Sequence, residues 1–210
     1  MAVIYTIATG IIAYLIGSIN SSFLISKAVM GKDIRESGSG NAGATNMLRT
    51  MGKKYAVITL VIDILKGVVS LLLASLAIRL GAYGFTPYIA GVCVVLGHNF
   101  PLFFGFKGGK GVATSLGVIL LLDWKSGLIT LAFAIIVMAA TRYVSLGSIL
   151  SAIVFMVLQT AVMLLWQGFD VVRFICVLIL GLLLIVRHSA NIKRLLNGTE
   201  NKLGSKKKEA

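Results

Sequence analysis

The sequence predicts an all-α integral membrane protein of about seven transmembrane helices, with the N-terminus outside and the C-terminus in the cytoplasm. Three observations carry that expectation. Of the 210 residues, 58% are hydrophobic and only 13% charged, against roughly 25% charged in ordinary soluble domains. The mean hydropathy is +0.96, and long apolar runs recur from one end of the chain to the other. The remaining charge is lopsided, with 20 Lys and Arg against 7 Asp and Glu, a net +13. In a soluble protein that excess points to nucleic acid. On an apolar chain it marks cytoplasmic loops, anionic headgroups or phosphate-bearing substrates, so membrane lipid is the expected partner and nucleic acid is not.

The first apolar run, residues 3–29, has no basic residue in front of it, since the first Lys is Lys27. A cleaved signal peptide needs that charge, so a retained first helix is expected. Further runs cover 55–78, 86–104, 112–122, 128–140, 144–165 and 171–186. The fourth and fifth are short for a hydrocarbon core ~30 Å thick, which leaves five spans plus a re-entrant hairpin as the alternative. Either count gives the same orientation. Segments 31–54, 105–111 and 141–143 and the chain after Val186 hold most of the Lys and Arg, whereas the opposite loops hold Arg79, Lys125 and Arg173. The positive-inside rule places the richer set in the cytoplasm. One polytopic domain is expected over 1–204, followed by a basic cytoplasmic tail at 205–210. Cys93 and Cys176 lie in apolar runs without metal or disulfide spacing and read as packing residues.

Three cytoplasmic segments are too polar and too glycine-rich to be mere connectors. The first contains Gly38, Ser39, Gly40, Asn41, Gly43, Thr45 and Asn46, followed by Arg49. Glycines let consecutive N–H groups converge on phosphate oxygens, short side chains add donors, and arginine adds a fork matched to two oxygens. The run contains G-x-G-x-x-G, but no strand of a βαβ unit precedes it, so a dinucleotide is not expected. The second runs from Gly97-His98-Asn99 to Lys107-Gly108-Gly109-Lys110-Gly111 and Thr114. Two lysines among glycines at the start of an apolar helix make an anion site in which ammonium and helix dipole act together. His98 reads as a hydrogen-bonded structural residue. In the third, Arg187, Asn191 and Arg194 share one helical face with His188 beside them, Gly198 ends the helix, and Glu200 ties the tail to a basic partner.

Smaller features complete the inventory. Asp63 and Lys66 lie at i, i+3 inside the second run, flanked by Thr59 and Ser70, and must pair or face a polar interior. Ser18, Ser22 and Ser26 form a stripe of the kind used in close helix packing. Ser145 and Ser148 add hydroxyls at the cytoplasmic end of a span. There is no nucleophile elbow, carboxylate dyad or zinc-like cluster, which suits chemistry on an already activated donor.

The motifs S-G-N-x-G-x-T-N-x-x-R at residues 39–49, F-K-G-G-K-G-V-A-T at 106–114 and R-H-x-x-N-I-x-R-L-x-x-G-x-E at 187–200 resemble those of the bacterial acyl-phosphate:glycerol-3-phosphate acyltransferases. The resemblance spans nearly the whole chain, with further matches at 63–67 and 97–98. It implies an inner-membrane, multi-pass enzyme whose active site faces the cytoplasm. That enzyme moves a fatty acyl group from acyl phosphate to the 1-hydroxyl of glycerol 3-phosphate, giving lysophosphatidic acid and phosphate. It implies no metal and no cofactor, and a functional link to the enzyme that makes acyl phosphate. Carried over, Ser39, Arg49, Lys110, His188 and Asn191 are expected to be catalytic. Gly38, Gly40, Asn41, Gly43, Thr45, Asn46, Lys107, Gly108, Gly109, Gly111, Thr114, Ser145, Ser148, Arg187 and Arg194 are expected to bind substrate, and Asp63, Lys66 and Glu200 to be structural. The residues leave the proton acceptor open between His188 and a substrate phosphate. The rival reading from the residues is a small transporter or channel for phosphorylated anions.

Overall fold

Each apolar run becomes helix in the computed structural model, which describes residues 1–204; the basic tail at 205–210 lies outside the described residues. The helices are α1 (Ala2–Gly17), α2 (Ser21–Met30), α3 (Ala44–Thr50), α4 (Lys53–Arg79), α5 (Thr86–Asn99), α6 (Val112–Leu122), α7 (Trp124–Thr141), α8 (Val144–Val162), α9 (Val171–Arg187) and α10 (Ser189–Leu196). Short 3-10 turns at Ile34–Glu36 and Leu102–Phe104 and a π turn at Met163–Gln167 join them, and there is no strand among the described residues. The chain is an all-α membrane protein. Five segments are long and apolar enough to cross a bilayer, and a sixth is added if α9 and α10, bent by 54°, count as one. Helix α6 has 11 residues, a length of about 16 Å that cannot cross by itself. The fifth run is longer than its apolar stretch, because the Asp123 side chain accepts from the backbone N–H of Lys125 and Ser126 and starts α7 at Trp124.

The first run is broken, which periodicity did not show. Helix α1 stops at Gly17, and Asn20 restarts the chain by accepting from the Phe23 N–H at 3.1 Å. The break frees the carbonyls of Gly17 and Ile19, and both accept from Lys66 Nζ at 3.2 Å. A buried ammonium needs such acceptors, and an unbroken helix would have kept these two for itself. Ser18 and Ser26 fall on opposite sides of the break, so the serines do not form one packing stripe. Their hydroxyls bond Tyr14 O and Phe23 O, and Ser22 bonds Asn20.

Helices α1 and α5 touch at Gly17 and Gly97, and α4 and α6 touch at Gly67 and Gly117. A methyl on Gly117 would lie 2.2 Å from Ile64 O, and one on Gly97 would lie 2.1 Å from Tyr14 O. Small residues at crossings let backbones approach where lipid offers no hydrophobic drive. Leu71, Ala74, Ala90, Val94, Val95 and Val118 fill the core around these contacts. Gly117→Ala is therefore expected to cost about 1–3 kcal/mol, read as a lower thermal unfolding temperature in detergent.

At the end of the bundle away from the glycine loops, Gln159 on α8 donates to Asp123 Oδ2 at 2.8 Å and accepts from Arg173 Nη2 at 2.9 Å. Arg173 also bonds Gln167 and lies over the Tyr88 ring. The sequence placed Arg173 among the loop charges. It is instead buried inside a network that ties α7, α8 and α9 together.

Candidate active site

The first glycine loop is shaped by Asn46. Its amide nitrogen donates to Ile34 O at 3.1 Å and Ser37 O at 3.0 Å, and its oxygen accepts the Ser39 N–H at 2.8 Å. Both amide hydrogens are thus engaged inside the loop, so Asn46 holds the loop's shape although it also borders the cavity. Ser39, Thr45 and Arg49 are left at the cavity wall. Arg35, which the sequence showed only as a loop charge, docks this segment onto the second. It pairs with Asp33 at 2.7 Å and donates to Phe104 O at 2.8 Å and Lys107 O at 2.9 Å.

The second loop is clamped from two sides. Gly108 N–H donates to Asn99 O at 3.2 Å and Gly109 N–H to His98 O at 3.1 Å, while Arg187 donates to the carbonyls of both glycines. These two N–H groups therefore do not face an anion. The glycine pair exists for close approach: a methyl on Gly108 would lie 2.0 Å from His98 O, and one on Gly109 2.2 Å from His98 Nε2. Gly111 turns the chain with φ +82° and begins α6, whose first turn has no side-chain cap. Lys110, Val112 and Ala113 reach the cavity there, so an ammonium stands beside an open helix N-terminus.

The third segment does not lie on one helix. Helix α9 ends at Arg187, α10 begins at Ser189, and His188 sits in the bend. The bend turns His188 and Asn191 toward Lys110 instead of leaving them on one straight face. Asn191 Oδ1 accepts from Lys110 Nζ, and Asn191 Nδ2 donates to Glu200 Oε1 at 2.7 Å. Glu200 also accepts from Ser145 Oγ at 2.9 Å and from Arg194 Nε at 2.7 Å. The carboxylate thus organises Asn191, which in turn aims Lys110. His188 Nδ1 lies 2.8 Å from Leu184 O. A carbonyl can only accept, so Nδ1 carries the proton and Nε2 keeps a lone pair.

Burial pulls the Lys110 ammonium down to about 8, a shift that Glu200 offsets in part and that Arg194, Arg49 and Arg187 reinforce. Burial, followed by the Lys110 charge, pushes His188 down to about 4 and keeps its imidazole neutral. Burial alone would raise Glu200, but hydrogen bonds from Asn191, Arg194 and Ser145 outweigh it and hold the carboxyl below its usual range.

All three segments border one cavity of about 1120 Å³. Its mouth is set by Ser39, Gly40, Asn41, Gly43, Thr45, Arg49, Lys107, Gly108, Lys110, Gly111, Ser145, Ser148, Arg187, His188, Asn191, Arg194 and Glu200. Asp63 and His98 also reach the wall. Beyond the mouth the lining turns apolar, through Leu116, Leu131, Ala134, Ala152, Phe155 and Leu180 on four helices. Among the expected substrate-binding residues, Gly38, Gly109 and Thr114 do not line the cavity. Thr114 is buried where its carbonyl meets Gly67, and Gly109 backs onto His98. Arg187 borders the cavity, but it directs Nε and Nη2 at the glycine loop and stacks over Phe100. Arg49 and Lys107 are exposed and have no ion pair among the described residues.

The model of the family described as glycerol-3-phosphate acyltransferase matches residues 7–198. The chain belongs to that family. A glycerol-3-phosphate acyltransferase of Thermoanaerobacter sp. (strain X514) is 47% identical over 202 residues, covering 96% of this chain and 98% of the relative. One from Clostridioides difficile (strain 630) is 44% identical over 212 residues, covering 99% and 100%. The crystal structure of PlsY (YgiH), an integral membrane glycerol 3-phosphate acyltransferase, in its glycerol 3-phosphate form, superposes with a TM-score of 0.85 at 39% identity, covering 95% of this chain and 96% of that one. Its lysophosphatidic acid form gives 0.81 at 38%. As a glycerol-3-phosphate acyltransferase the chain is an acyl-transferring enzyme, and the anion-transporter reading falls. Several residues of this acyltransferase's cavity wall escaped sequence reasoning, Asp33, Arg35, Glu36, Thr130 and Ser151 among them. Ser115 had no expected role, and His98 was read as a hydrogen-bonded structural residue without a place in the cavity.

Proposed function

We propose that this chain transfers a fatty acyl group from acyl phosphate to the 1-hydroxyl of glycerol 3-phosphate on the cytoplasmic side of a bacterial inner membrane, opening phospholipid synthesis. One observation carries the reading: unpaired Arg49 and Lys107 and the half-buried Lys110 stand at the mouth of a cavity whose far part is apolar. Such a cavity suits two phosphates at a polar mouth and one acyl chain below it. The glycerol oxygen forms a bond to the acyl carbon, the bond from that carbon to the phosphate oxygen breaks, and phosphate departs. Arg49, Lys107 and Lys110 offset the charge that gathers on the departing phosphate. His188 Nε2, with its lone pair fixed by the Leu184 contact, takes the hydroxyl proton. The excess of Lys and Arg around the motif segments supports their cytoplasmic placement.

The test is reconstitution with labelled glycerol 3-phosphate, supplying acyl phosphate, acyl-CoA and acyl carrier protein in turn. Label in lysophosphatidic acid with acyl phosphate alone is expected, and equal transfer from acyl-CoA contradicts the donor assignment. The reading also predicts an alkaline limb. Charged Lys110 is lost as pH rises through about 8, so kcat/KM falls there. In Lys110→Arg the limb moves above pH 10, because guanidinium stays protonated.

A further inference from the structure

His98 is buried at 7% exposure and lies on the cavity wall, and the transfer step proposed above gives it no part. Its surroundings fix its protonation by geometry. Lys66 Nζ is ringed by acceptors: Gly17 O and Ile19 O at 3.2 Å and Asp63 Oδ1 at 3.0 Å. Its remaining close neighbour is His98 Nδ1 at 2.7 Å. An ammonium has three hydrogens and no lone pair, so Lys66 donates across this shortest contact and Nδ1 accepts with its lone pair, while Asp63 takes a second hydrogen and the two carbonyls at 3.2 Å share the third. Asp63 Oδ1 lies 3.6 Å from Nδ1, beyond hydrogen-bond reach, and already accepts from Ser21 Oγ at 2.9 Å. The proton of a neutral His98 ring is therefore on Nε2. Nε2 has no hydrogen-bond partner among the described residues and stands against Gly109, between the two glycine loops.

We propose that His98 donates this Nε2–H to a substrate oxygen in the cavity, and that Lys66 is a positioning residue that holds the tautomer. The two histidines then present opposite faces to one cavity. His188 offers a lone pair at Nε2 and His98 offers a hydrogen, each locked through its Nδ1. The acceptor is a phosphate or acyl carbonyl oxygen; both are electron-rich oxygens without a hydrogen to give. The Asp63–Lys66 pair, expected to be structural, acquires a second task. The break after α1 acquires one too, because it supplies the carbonyls that keep Lys66 a donor.

This assignment rests on the acyltransferase reading for its substrates, while its first test needs no turnover. In protein labelled with ¹⁵N-histidine in detergent micelles, His98 is expected to be protonated at Nε2 and His188 at Nδ1. Glycerol 3-phosphate alone is added in one arm and an alkyl acyl-phosphonate in the other. A shift of the His98 Nε2–H in the first arm assigns the acceptor to the glycerol phosphate, and one in the second to the acyl donor. His98 protonated at Nδ1, or an Nε2–H that neither ligand moves, overturns the proposal. In kinetics, His98→Leu is expected to lose about 10²-fold in kcat/KM. His98→Gln, which keeps a donor, is expected to recover at least a tenth of the wild-type value. The neutral double variant Asp63→Asn/Lys66→Met is expected to leave His98 a mixture of tautomers. Equal activity in the leucine and glutamine variants also overturns the proposal. Should acyl phosphate fail as donor while the Nε2–H shift is observed, the donor assignment falls and this one stands.

Discussion

Lys110→Ala is expected to lower kcat by about 10²–10³-fold while the protein still inserts, purifies and unfolds near the wild-type temperature. The ammonium sits at the open N-terminus of α6, held by Asn191, and is the most buried of the cations that face a departing phosphate. In a site shielded from water its charge acts at close to full strength on the phosphate. Lys110→Ala also deletes a group that burial makes costly to charge, so the folded state does not suffer for its loss. Activity and stability therefore separate, and a matched set of turnover and thermal-unfolding measurements on one preparation checks this. Lys110→Arg is expected to be intermediate: it keeps the charge but presents a planar fork where Asn191 receives a point donor.

The second large effect is on stability. Glu200→Ala is expected to cost roughly 3 kcal/mol, with activity lost at temperatures where the protein still holds together. The carboxylate joins α8 through Ser145 to α10 through Asn191 and Arg194. Removing it leaves two buried donors without acceptors and frees Asn191 to turn away from Lys110. Glu200→Gln keeps one acceptor oxygen and is expected to recover part of the stability. It cannot receive both Asn191 and Arg194 as an anion, so kcat remains low. Thermal unfolding of the three proteins beside their turnover checks the order wild type, Gln, Ala.

The helices were legible because apolar runs long enough for lipid leave few alternatives. The three motifs were legible because glycine, hydroxyl and basic residues have no other reason to crowd at the ends of spans. Their detailed roles were not. Gly108 and Gly109 read as a phosphate cradle, yet their N–H groups go to the carbonyls that end α5, a contact made by loop folding and invisible to spacing. The break between α1 and α2 left no mark because both halves are apolar, and only the position of Lys66 across the bundle explains it. Arg173 looked like a loop charge because Gln159 and Asp123 belong to other helices, and no i, i+3 or i, i+4 pattern joins them. The Asp63–Lys66 pair did follow from spacing. Its extension to His98 required the α4–α5 contact.

The account's central claim is that the cations and the apolar arm form one cavity open to the cytoplasm. It is tested most directly with sealed membrane vesicles from cells lacking glycerol 3-phosphate uptake. Acyl phosphate is dissolved in the bilayer and labelled glycerol 3-phosphate is present only in the outside medium. Inverted vesicles are expected to form labelled lysophosphatidic acid, and right-side-out vesicles to form none until they are made leaky. Product in intact right-side-out vesicles at the inverted rate would contradict the account.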